Sequence, residues 1–103
     1  MADLLSLLDR EVTVLVQRLR GFSASRWRAA APPHENRADA AYQLAVRLAE
    51  LGSAPVALPQ LGEHVVADQI AVTGHDLVVA APTDEVIELA LDAIWRTREA
   101  LGI

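Results

Sequence analysis

The stretch Glu63–Ala81, EHVVADQIAVTGHDLVVAA, decides how this chain is read. It is the longest apolar run in the sequence, yet it carries two of the three histidines. At 100° per residue, Val66, Ala67, Ile70, Gly74, Leu77 and Val78 fall on one broad apolar face of a helix. His64, Asp68 and His75 share a second line, and Gln69, Thr73 and Asp76 a third. Val65, Val72 and Val79 lie between these two polar lines. A helix that is apolar on most sides is buried on most sides, so its polar lines must meet solvent, each other or a partner. The competing reading is a hairpin. Six β-branched residues favour strands, and Thr73-Gly74-His75-Asp76 would be its turn. The polar residues keep helical spacing straight through that supposed turn, and an isolated hairpin leaves its edges unmanaged. The reading is therefore a central helix near 63–81.

The remaining elements follow from periodicity and punctuation. Leu5, Leu8, Val12, Leu15, Val16 and Leu19 recur at helical spacing over 3–20, with Asp3 to cap the start and Gly21 to stop the end. Ser23 or Ser25 can cap one short turn through Arg28, with Trp27 anchoring this connection over the core, before Pro32 and Pro33 break any helix. A second long helix spans 37–51 behind Asn36 as N-cap, and its alanines call for close helix–helix approach. The link Gly52–Gly62 is held extended by Pro55 and Pro59. It is long enough to cross from one end of a bundle to the other, in which case the helices it joins need not be antiparallel neighbours. Thr83 caps the last helix, 84–101, and Gly102 ends it. The fold class is all-α, a bundle of roughly four helices (3–20, 37–51, 63–81, 84–101) forming one domain over residues 1–103.

Composition narrows the function. The chain has 103 residues, is 52% hydrophobic and contains no cysteine, which removes disulfides, thiol catalysis and cysteine-ligated zinc. All nine basic residues are arginine, so Schiff-base and P-loop lysine chemistry is absent. A net charge of -5 opposes nucleic-acid binding, which needs a basic face. No uncharged stretch is long enough to cross a membrane, and the start MADLL is no basic leader, so the expected location is cytoplasmic.

His64 and Asp68, at an i,i+4 step, are the candidate ligands for a divalent metal ion, with Glu63 or His34 as a helper. His75 lies two turns beyond Asp68, too far to share that ion. With Asp76 and Gln69, His75 instead forms a candidate polar seam or interface. His75 with Asp76 or Asp68 is the one general acid–base pairing in view. No nucleophile elbow, phosphate loop or oxyanion arrangement accompanies it, so no catalytic or cofactor-binding residue is assigned. The surplus of apolar helix surface points to association, as a homo-oligomer (a homodimer first) or with a protein partner, the seam setting the register.

The segments RADAAYQLAVRLAEL and PQLGEHVVADQIAVTGHDL resemble a type of short, uncharacterised helical protein of actinobacteria, over about the last two-thirds of the chain. That resemblance implies no activity. More distantly, the helix layout is similar to the DinB-like bundle, including the N-terminal domain of mycothiol-dependent maleylpyruvate isomerases. Those proteins hold a metal with three histidines on different helices. Here Gln43 stands where such a histidine would be sought, and His64 and His75 belong to one segment, so no catalytic residue carries over.

Overall fold

The computed structural model describes residues 3–103; Met1 and Ala2, which open the domain read from the sequence, lie outside the described residues. The described residues form five helices and no strand: α1 (Leu4–Leu19), α2 (Ala24–Arg28), α3 (Arg37–Leu51), α4 (Val66–Val79) and α5 (Asp84–Leu101). The caps are those that local chemistry asks for. Side chains of Asp3, Ser23, Asn36 and Thr83 accept from the backbone N–H three residues on, and Gly102 ends α5 with a left-handed φ of 74°.

Asp3 is where the fold acquires a pH dependence. The Ser6 backbone N–H, and then the Ser6 hydroxyl, hold its carboxyl below the usual carboxylate value. A group whose pKa falls on folding contributes stability above its unfolded pKa and loses it as pH drops through the folded one. The Asp3 carboxyl and the Ser6 amide are expected to titrate together in NMR, at lower pH than an ordinary aspartate, with fraying confined to the first turn of α1. Titration of Asp3 at the ordinary aspartate value would contradict this.

The central helix is real but shorter than 63–81. Gly62 takes a φ of 105°, Glu63–Val65 form a turn, and helix begins only at Val66. No side chain caps that start. At the other end Ala80 is the C-cap, Ala81 turns to a φ of 47°, and Pro82 follows. His64 therefore stands outside the helix on which its spacing had been counted.

Neighbouring backbones run α1 to α4, α4 to α3, α3 to α5 and α5 back to α1, while α1–α3 and α4–α5 lie diagonally across the core, with no Cα atoms within 8 Å of each other. Val12 meets Gly74 and Arg20 meets Asp68, so α1 and α4 run antiparallel. Asn36, Asp39 and Tyr42 lie with Val66 and Gln69, whereas Gly52 at the end of α3 approaches Leu77. Hence α3 and α4 run parallel, and the proline-containing link crosses the length of the molecule between them. Two side chains fasten it: Tyr42 donates its hydroxyl to the Leu58 carbonyl (2.7 Å) and Gln69 its amide to the Pro59 carbonyl (2.8 Å).

The core is aliphatic. Leu8, Leu15 and Leu19 of α1, Leu48 of α3, Ile70 and Leu77 of α4, and Ile94 and Leu101 of α5 are fully buried. The alanines of α3 do what their size suggests, with Ala40, Ala41 and Ala45 buried between neighbouring helices. Trp27 is 5% exposed and docks α2 onto this core, its ring centroid 4.8 Å from that of Phe22. Among the described residues no helix is long and apolar enough to cross a membrane.

Candidate functional site

Two regions collect the polar residues singled out above. The first is a cleft of about 430 Å³ at the end covered by α2, with Leu19, Phe22, Trp27 and Ala67 inside and Arg20, Glu63, His64 and Asp68 around it. Both carboxylates here are already engaged. Asp68 accepts from Arg20 at 2.9 Å, and Glu63 accepts from Arg28 through both oxygens, at 3.1 and 3.3 Å. The Arg20–Asp68 pair is open to water, with side chains 58% and 66% exposed, and such pairs add at most about 1 kcal/mol. The fork on Glu63 ties α2 to the turn before α4. Among the described residues no group of three or more histidine, aspartate or glutamate side chains is placed to hold a metal ion. His64 and Asp68 offer two ligands, and one Asp68 oxygen already accepts from Arg20. His34 lies elsewhere, with its Nδ1 3.7 Å from an Asp39 oxygen.

The second region is the outward face of α4. Val72 and Val79 are 59% and 68% exposed, and they sit one heptad apart on a single line. His75 lies on one side of that line, at the edge facing α1, where it lines a shallow cavity with Asp9, Gln17 and Arg20. Asp76 lies on the other side, toward α3. Both are exposed, and neither joins an ion pair among the described residues. Gln69 parts from them. It is turned under the link, donates to Pro59, and leaves its Oε1 buried without a partner. Thr73 is buried, with its hydroxyl donating to the Gln69 carbonyl at 2.8 Å. The two polar lines of the sequence thus divide. Gln69 latches the link, Asp68 pairs with Arg20, Thr73 is buried, and on α4 His75 and Asp76 remain facing outward.

The other exposed large apolar residues are spread over different elements. Val14 lies on α1, Val56 and Leu61 lie on the link, and Leu89 and Trp95 lie on different sides of α5. Single exposed apolar side chains are ordinary; Val72 and Val79 differ in sharing one line of one helix, about 10 Å apart along its axis. The signal was present in the sequence: Val65, Val72 and Val79 stood apart from the buried face. Fold and site together define an all-α domain with an apolar stripe bracketed by histidine and aspartate. Comparison with known proteins finds no matching family model, no matching curated protein and no matching solved structure.

Proposed function

We propose that this chain is an association domain whose partner is a second copy of itself, joined through the outward face of α4. In this reading the four long helices act as a four-helix bundle that holds α4 in place while leaving its outer line free. The observation that supports it is the Val72–Val79 stripe, which the chain's own packing leaves in water on the helix that is otherwise its most apolar. Association removes those side chains from water at about 25 cal/mol per Å² of apolar surface, set against the entropy of joining two bodies. A single short stripe belongs to the small-interface class, so a dissociation constant on the order of 10–100 μM is expected.

Sedimentation equilibrium from about 10 μM to about 1 mM, spanning that constant, is expected to show a reversible monomer–dimer equilibrium. Val72→Asp and Val79→Asp are expected to weaken it at least tenfold, because each buries a carboxylate at the joint. Both sites are exposed in the single chain, so the thermal midpoint of the dilute protein should stay nearly constant. A monomer throughout the range, or a dimer indifferent to both substitutions, would overturn the proposal.

A further inference from the structure

The association just proposed is also legible in its direction, and this step rests on that reading. The Val72–Val79 line runs up the middle of the outward face, with His75 toward α1 and Asp76 toward α3. Two copies can be laid face to face about a two-fold axis in either of two ways. If the axis runs along α4, the helices are parallel, and the flank of one copy that carries His75 meets the flank of the other that carries Asp76. If the axis runs across α4, the helices are antiparallel, and each flank meets its own kind, imidazole on imidazole and carboxylate on carboxylate. Two carboxylates opposed across an interface are penalised, whereas an imidazole N–H set opposite a carboxylate is a hydrogen bond that selects orientation.

We infer that the two copies pair with their α4 helices parallel and in register, Val72 on the partner's Val72 and Val79 on the partner's Val79. In that arrangement His75 of each copy donates a ring N–H to Asp76 of the other, twice by symmetry. The spacing supports this. Val72 and Val79 stand one heptad apart in the middle of the face, so in a parallel pair each meets its own copy across the two-fold axis, with His75 and Asp76 to either side. Asp68, at the N-terminal end of the same face, would approach its own copy, but Arg20 already pairs with that carboxylate at 2.9 Å, so no bare charge is opposed. A polar pair beside an apolar stripe sets register at some cost in affinity, as expected of a weak, oriented joint.

The chain has no cysteine, so single cysteines report the geometry cleanly. Val72→Cys protein under mild oxidation is expected to form a disulfide-linked dimer with itself, as is Val79→Cys. An equimolar mixture should give few Val72→Cys/Val79→Cys hybrids, because in the parallel register those positions lie about 10 Å apart along the axis. Asp76→Arg should weaken association at least tenfold, and adding His75→Glu to it should restore most of the loss by reversing the pair. Hybrids dominating the mixture would overturn the parallel register while leaving the proposed association standing. A dimer that forms no cysteine link, or that ignores Asp76→Arg, would overturn it too. Failure of the association itself appears separately, as a wild-type monomer in sedimentation.

Discussion

Gly74→Val is expected to destabilise this protein by about 3 kcal/mol, and Gly74→Ala by about 1–2 kcal/mol, although both residues suit a helix better than glycine. Glycine within a helix costs up to about 1 kcal/mol against alanine, so at an open position the alanine change would stabilise. Position 74 is not open. A β-carbon placed there would lie 2.6 Å from Cγ1 and 2.9 Å from Cγ2 of Val12. Valine in a helix is held to essentially one rotamer, so Val12 cannot swing aside, and α1 and α4 must separate. A thermal midpoint lowered by several degrees or more checks the alanine case. The cause is checked by a double-mutant cycle. Val12→Ala alone leaves a small void, but in the Gly74→Ala background it removes the clash. The two changes are therefore expected to be less damaging together than their sum, by about 1–2 kcal/mol. Additive effects would show that the close approach at Gly74 is not what glycine is there to permit.

Gly74 also shows what the sequence could and could not disclose. It lies on the apolar face of the 63–81 run, and that face is the buried one: Val66, Ala67, Ile70, Gly74 and Leu77 are all buried. Period, caps and prolines were enough to place the four long helices and the short capped turn at Ser23, because those signals are local. The neighbour of Gly74 is a matter of which helix packs where, and nothing local to the run encodes Val12. The start of α4 was missed for a similar reason. The spacing of His64 suits a helix, but Gly62 adopts a positive φ and the link arrives from the far end of the molecule, so the chain turns through Glu63–Val65 first. Among the site residues, His75 and Asp76 keep the outward position that the helical wheel assigns them. Asp68 and Gln69 were equally legible as polar positions, but their partners, Arg20 and the Pro59 carbonyl, are 48 and 10 residues distant in sequence. The direction of the link was open as well, until Tyr42 and Gln69 showed which way it runs.

Trp27→Ala should produce the largest loss of any single truncation at the α2 end, about 3–5 kcal/mol. Trp27 is the one buried residue of α2, and a five-residue helix has no stability of its own. Its indole holds the connection between α1 and α3 on the core, with Phe22 at its side and the guanidinium of Arg26 stacked 4.0 Å over the Phe22 ring. The surface fastenings of this segment cannot replace it, because the Arg28–Glu63 fork is mostly in water on the arginine side, which is 71% exposed. Two outcomes separate how the loss is taken. If α2 stays docked over a cavity, urea unfolding shifts to a lower midpoint with its slope unchanged. If α2 leaves the core in the folded protein, less surface remains to be exposed and the slope falls as well. The second is expected, since nothing else from α2 enters the core. It also reaches the candidate sites unequally. The cleft that includes Trp27, Glu63 and His64 would be dismantled, while Val72, His75, Asp76 and Val79 lie on the outward face of α4, away from α2. Trp27→Ala protein that remains folded in the cold should therefore dimerise with nearly the wild-type constant. Loss of dimerisation in a folded Trp27→Ala variant would move the association surface from α4 to the α2 end.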